Sequence, residues 1–408
     1  MGGKQEYFRT NALLYFISAG HGIKHLFSTS VQVLIPFIKE GLSLTGVQIG
    51  ALATSHSIAG ALVNVPSGIL SDLFKKKVGI IIGLSAFFLG IGYLVLLFIS
   101  KENWIVLGFI AFILFGAGAS LWHPPAFAVL SSRYPDRKAF ALGVHLSAAS
   151  AGNTLGPVMI GVLLGGGGIY GIYSAGMDWR NLSFLISVMC LILAAVIFIF
   201  SPKITIKGDK AVDVRNYFSD AYKSLKKIEV IVMILLHAVR SAVHSGFSVY
   251  LLIYLKEYLN LSPVAIGIHF SLIGLSGVLF TPIWGAFSDR VGRLPVISLG
   301  MILTGIFIYS IRFGSSGWPL IILLLLLGCV LFAIMPVISA AAIDYTIKGT
   351  EGTSVSLLFS GGAILGSLSP LISGYFYDSF GFNAVLTFTS VLALLGTVIS
   401  LIAWNRFK

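Results

Sequence analysis

The sequence predicts an all-α polytopic membrane protein, with twelve transmembrane helices arranged as two pseudo-symmetric six-helix bundles. Three observations predict it. Of 408 residues, 57% are apolar and only 10% charged, whereas soluble domains carry about 25% charged residues. Apolar windows of about 20 residues, the length that crosses a bilayer, recur twelve times, with loops between them too short to hold a soluble domain. The second half of the chain also repeats the first. A water-soluble enzyme is excluded on these grounds.

The windows span residues 12–38, 45–71, 78–99, 104–132, 138–165, 181–200, 229–258, 263–288, 295–313, 317–345, 352–378 and 383–404. Each must be helical, because an unpaired amide costs several kcal/mol in hydrocarbon and the lengths exceed the roughly 10 residues of a barrel strand. The first run is too long for a signal peptide and lacks a small-residue cleavage site, so no cleavable leader is expected. Helix two opens on Thr45 and Gln48, a capping box, and helix eight on Ser262-Pro263, an N-cap followed by an N1 proline. In helix four, Pro124-Pro125 predicts a break near the middle that frees backbone carbonyls. Helix five places Gly152, Gly156 and Gly161 beside Pro157, and helix eleven has Gly362, Gly366, Pro370 and Gly374, so both predict close helix contact with a bend. Cys190 and Cys329 fall inside apolar helices and read as small core hydrophobes.

The net charge of +12 could suggest nucleic acid, so the placement of its 27 Lys and Arg residues decides. With the N-terminus in the cytoplasm, twenty of them fall on inside segments, against only Lys39, Lys101, Arg180, Lys256 and Arg312 outside. The excess is a topology signal that places both termini inside a cell membrane, an inner or plasma membrane, and no nucleic-acid partner is expected.

Sliding the chain by 217 residues aligns eleven identities within 34 positions, from Lys39, Glu40, Gly50, Gly68 and Asp72 onto Lys256, Glu257, Gly267, Gly285 and Asp289. The expected organisation is one bundle over 1–201, a cytoplasmic linker over 202–228 and a second bundle over 229–408, the halves being parallel copies of one module. Residues 214–227 read as a short surface helix with Lys223, Lys226 and Lys227 on one face toward lipid phosphates.

The loop after helix two reads Gly68-Ile-Leu-Ser-Asp72-Leu-Phe-Lys75-Lys76-Lys77, and that after helix eight Gly285-Ala-Phe-Ser-Asp289-Arg290-Val-Gly292-Arg293. An acid at a helix end followed by a basic turn suits a charge-pair latch. The pattern resembles the loop signature of the major facilitator superfamily, with Lys75 where a glycine is usual in the first copy. The resemblance implies that Asp72 and Asp289 bind helix N-termini or arginines such as Arg133 and Arg137 to lock the inside gate, with Arg290 and Arg293 in the same latch. The helix-five glycines resemble the signature of drug/proton antiporters in that superfamily.

All fifteen acidic residues fall in loops or near helix ends, while all eight histidines, His21, His25, His56, His123, His145, His237, His244 and His269, lie within predicted helices together with Lys24 and Arg240. A charge at the centre of a membrane helix costs at least about 2.5 kcal/mol, so these groups face the interior. Helix one reads His21-Gly-Ile-Lys24-His25, and helix seven repeats His237-Ala-Val-Arg240 at an offset of 216 with His244 one turn on. Both sets occupy one helix face and are expected to meet across the pseudo-two-fold axis. The result is a cavity with two cations and no carboxylate at equal depth, which suits a small organic anion. Arg240 would grip a carboxylate or phosphonate bidentately and Lys24 would act as a point charge. His21, His25, His237, His123 and His145 orient the ligand, Asn153 adds a hydrogen bond and Trp122 forms a wall; protons, if coupled, ride on His21, His25, His237 or His244.

Gly116 to Pro125 on helix four, Ser147 to Pro157 on helix five, and His21 are together similar to the fosmidomycin-resistance branch of that superfamily. Lys24-His25 stands where that branch favours an amide and an acid. The resemblance implies a secondary carrier that works by alternating access, with a drug/proton antiporter conferring resistance as the alternative. A membrane enzyme or sensor on the same scaffold is a more remote one, since no Ser-His-acid triad, nucleotide loop or zinc-site spacing is present. No cofactor or resident metal is expected, the partners being the anionic solute, protons and the bilayer, and a monomer is expected.

Overall fold

The computed structural model describes residues 2–169, 172–174, 176–206, 219, 222–223, 226–314, 316–345 and 351–407; the side chains of residues 2–10, 139, 167–174 and 351–357 are outside that description. Helix one runs Gly2–Leu42, helix two Gly46–Leu73, helix three Val78–Leu97, helix five Lys138–Gly165 and helix six Trp179–Phe200. Helix seven is Ile228–Glu257, helix eight Pro263–Val291, helix nine Arg293–Ser310 and helix twelve Phe382–Arg406. Three helices are broken: four into Trp104–Leu121 and His123–Arg133, ten into Trp318–Leu331 and Ile334–Asp344, and eleven into Glu351–Gly366 and Ser369–Phe380. Ten stretches of the described chain are long and apolar enough to cross a membrane. Helices one and eleven are not among the ten, and the apolar run of helix one is interrupted by His21, Lys24, His25 and Gln32. The protein is therefore all-α, apart from a two-stranded ribbon of Gly167–Ile169 against Ile172–Ser174 between helices five and six.

The helix starts obey their local chemistry. Thr45 Oγ1 accepts from Gln48 N at 3.2 Å while Gln48 Oε1 accepts from Thr45 N at 2.9 Å, and Ser262 Oγ accepts from Ala265 N at 3.3 Å. The paired prolines break helix four at Trp122, as expected from two missing amides. The proposed surface helix over 214–227 lies mostly outside the described residues. The chain entering that linker folds back, with Gly79 N donating to Ile204 O and Ile206 N to Lys75 O.

Helix one packs on helix five, two on four, and three on four and six. In the second half, seven packs on eleven and twelve, nine on twelve, and eight on ten. The two sets meet along helices two and eleven and along helices five and eight. The junction is doubly repeated. Gly50 of helix two lies so close to the Pro370 carbonyl, and Gly267 of helix eight to the Pro157 carbonyl, that a Cβ at either glycine would collide with backbone. One turn on, Thr54 Oγ1 donates to Ser367 O at 2.9 Å and Ser271 Oγ to Thr154 O at 2.7 Å.

Toward the end away from the termini, further contacts close the junction. Lys39 pairs with Glu257 at 2.7 Å and Lys256 with Glu40, an exchanged pair of ion pairs between the repeats. Asp378 accepts from Gly46 N at 2.7 Å and Val47 N at 2.8 Å, capping helix two from the other bundle. Tyr250 Oη donates to Gly46 O, and Tyr377 Oη to Glu257. Toward the end that carries the termini, a Cβ at Gly143 on helix five or Gly285 on helix eight would meet none of the described residues within 4 Å. The same two helices that touch at Gly161 and Gly267 have parted there.

Candidate functional site

The helix-five glycines place the first half of the site. Gly152 and Gly156 let helix five press against helix one at Gly22 and Leu26, while Gly161 reaches across to Pro263. That contact carries His145 and Asn153 against His21 and His25, and the broken helix four brings Trp122 and His123 to the same point. His21 is fully buried, its ring stacked on His145 with centroids 3.9 Å apart, and its Nδ1 donates to the His145 carbonyl at 3.1 Å. His25 Nδ1 donates to Asn153 Oδ1 at 2.9 Å, and the Nε2 atoms of His21 and His25 lie 3.1 Å apart. His123 sits edge-on to His21 at 4.9 Å, and Trp122 stacks beyond at 5.8 Å.

Lys24 is 1% exposed and its Nζ donates to the Ala119 carbonyl at 2.6 Å. The acceptor lies three residues before the break in helix four at Trp122, which separates it from its regular i+4 donor, the His123 amide. Arg240 is 7% exposed and repeats the device: Nε and Nη2 donate to the Leu331 carbonyl at 3.2 and 3.0 Å, just before the break in helix ten. Its Nη1 reaches only the Met335 sulfur, at 3.9 Å, and the guanidinium lies over the Phe332 ring. Among the described residues neither cation meets a carboxylate. The acids Glu40 and Glu257, on the same helices as Lys24 and Arg240, are spent on Lys256 and Lys39.

The structure therefore brings His21, Lys24, His25, Trp122, His123, His145 and Asn153 together in one bundle, and His237, Arg240 and His244 in the other. His237 meets Phe359 and Gly362, with its Nδ1 unpartnered, and His244 meets Phe332. It does not bring the two cations into contact: each is turned into its own bundle and held by that bundle's backbone. His56 is half-buried on helix two, and His269 Nδ1 is tied to Ala265 O.

Of the latch residues, Arg293 pairs with Asp289 and, at 3.1 Å, with Asp344, all within one bundle. Arg133 donates to Thr205 Oγ1 at 2.6 Å, Arg137 and Arg290 are exposed, and Asp72 is half-buried near Lys75. Sequence spacing missed the capping role of Asp378 and the carbonyl partners of Lys24 and Arg240. The matched Lys39-Glu40 and Lys256-Glu257 pairs did hold the signal for the exchanged ion pairs.

The chain matches the Major Facilitator Superfamily over residues 17–254 and again over 233–407. It is 24% identical over 399 residues to the Fosmidomycin resistance protein of Escherichia coli (strain K12), covering 97% of this chain and 94% of that protein. It is also 24% identical over 395 residues to an uncharacterized MFS-type transporter of Methanocaldococcus jannaschii, covering 92% and 94%. In fold it is similar to a bacterial homolog to human lysosomal transporter Spinster in an inward-facing and unoccupied conformation, with a TM-score of 0.81, 15% identity and 98% of each chain covered.

Proposed function

The chain belongs to the major facilitator superfamily, and from that premise we propose a secondary carrier for a small organic anion, a carboxylate or phosphonate. It works by rocking the bundles 1–201 and 229–408 about a site at mid-depth. One observation carries this reading: each bundle buries one cation, Lys24 or Arg240, against a backbone carbonyl with no carboxylate beside it among the described residues. A carbonyl dipole satisfies hydrogen-bond geometry without cancelling charge, so both sites keep their attraction for an anion, which is strong where hydration is poor. The carbonyls act as placeholders. An arriving oxyanion takes over the Lys24 ammonium and the Arg240 fork, whose Nη1 is engaged only by a thioether. His25, His123 and Asn153, half-buried beside Lys24, would orient it.

The excess of basic residues on the terminal side supports cytoplasmic termini. The sealed end is then external and the parted end opens inward. Protons or exchange of solutes would drive the cycle, and uptake into proteoliposomes with and without a pH gradient separates these. The relative named for fosmidomycin resistance supports an export form of the same reading. Expression in a carrier-deleted host challenged with a phosphonate antibiotic tests export, and raised resistance is the expected result. The anion reading itself is tested by a thermal-shift screen of purified protein against small carboxylates and phosphonates, in which stabilisation by an anion is lost in Arg240→Ala.

A further inference from the structure

The imidazole cluster in the first bundle carries more than anion orientation requires. A backbone carbonyl can only accept, so His21 Nδ1, which faces the His145 carbonyl at 3.1 Å, bears the proton, and in the neutral ring Nε2 keeps its lone pair. His25 is arranged alike, its Nδ1 donating to Asn153 Oδ1 at 2.9 Å. The two Nε2 atoms then face each other at 3.1 Å as two lone pairs with no proton between them. In that tautomer either a proton or a metal ion between the two Nε2 atoms satisfies both lone pairs, and the third imidazole favours the metal. His123 completes the set: ligand nitrogens of His21, His25 and His123 lie within 4.8 Å of one another. His123 is half-buried and spends neither ring nitrogen on a described partner.

We propose that His21, His25 and His123 form a three-imidazole site for a borderline divalent transition metal of the zinc class, with the fourth coordination position open to the cavity. Zn–N bonds of about 2.0–2.1 Å at tetrahedral angles separate ligand nitrogens by roughly 3.3 Å, close to the spacing already held by His21 and His25. Ring N–H groups of metal-binding histidines commonly donate to a carbonyl oxygen, which fixes tautomer and orientation, and here the His145 carbonyl and Asn153 do this. An all-nitrogen set favours zinc, copper or nickel over magnesium or calcium. The opposing charge is the ammonium of Lys24 on the same helix, and an anion in the fourth position would offset it. That last feature rests on the anion reading, whereas the three-nitrogen site does not.

The test titrates Zn2+ by calorimetry, and Co2+ by its visible absorption, into tag-free full-length protein in nanodiscs. One ion per chain is expected, with tetrahedral Co2+ bands. His25→Ala and His123→Gln should each weaken binding more than tenfold, and Asn153→Ala by about 10–100-fold, the usual effect of losing an outer-shell partner; His237→Ala in the other bundle should leave it unchanged. The glutamine variant keeps a polar side chain at the helix break, and its retained thermal transition excludes unfolding as the cause. No stoichiometric binding, or binding that survives both His25→Ala and His123→Gln, overturns the proposal. Lys24→Met separates the two readings: metal binding should persist or tighten while anion binding is lost.

Discussion

The two bundles descend from one repeat and place a cation against the same backbone feature, yet they surround it differently. In the first, Lys24 stands among four imidazoles, His21 tied to the His145 carbonyl and stacked on its ring, and His25 tied to Asn153. In the second, Arg240 stands among Phe332, Met335 and Leu331, and the Nδ1 of His237 lacks a partner. The comparison teaches that the repeat supplies the scaffold, a helix broken so that a carbonyl can hold a cation, while the chemistry around that cation was set separately in each half. In the proposed carrier, a symmetric frame would present a polar wall and an apolar, aromatic wall to one solute.

The sharpest way to break this comparison is to delete each charge. Lys24→Met and Arg240→Ala should each weaken anion binding at least 30-fold or so, the scale of truncating one side of a buried charge pair, with the thermal transition of the free protein preserved. Arg240→Lys should recover only part of the loss, because an ammonium cannot reproduce a bidentate fork. Binding that depends on one half alone would dissolve the two-walled description.

Next in size are the matched glycines. Gly50→Val and Gly267→Val each drive a side chain into a proline carbonyl of the other bundle, at about 1–3 kcal/mol of overpacking. Spin-label distances across helices two and eleven should report a tenfold or larger shift, on the order of 1.4 kcal/mol, toward an open far end, alike in both variants. A smaller effect distinguishes the two loop copies. Asp289 has Arg293 and Asp72 has Lys76 at the equivalent place, so Asp289→Asn should slow transport several-fold at unchanged affinity and Asp72→Asn should slow it less. Last come the exposed pairs. Lys39→Glu should loosen the far end by no more than about 1 kcal/mol, and the swap that adds Glu257→Lys should restore it. High salt should erase the difference.

Much of this was legible in the sequence. The twelve apolar windows, the repeat at an offset of 217 and the Pro124-Pro125 break depend on local composition and spacing, which survive without a fold. Spacing also showed that Lys24 and Arg240 share faces with their histidines. It could not show that each cation turns to a carbonyl 95 or 91 residues away, because any residue offers a carbonyl and the contact leaves no trace in side-chain identity. His123 was expected beside His21 and His25, but the three-nitrogen set they form escaped, since metal-type spacing is recognised along one helix and this set is drawn from two. Asp378 read only as an acid near a helix end until the other bundle brought the free Gly46 and Val47 amides of helix two to it.

The paired contacts across the junction have a consequence for tightness. Thr54 and Ser271, like Gly50 and Gly267, are related by the repeat, so each of these contacts has a twin on the opposite flank. Breaking one twin leaves its counterpart as a pivot that keeps the seal. Separation becomes cooperative, with both flanks yielding together, and half-parted arrangements through which ions could leak are sparsely populated.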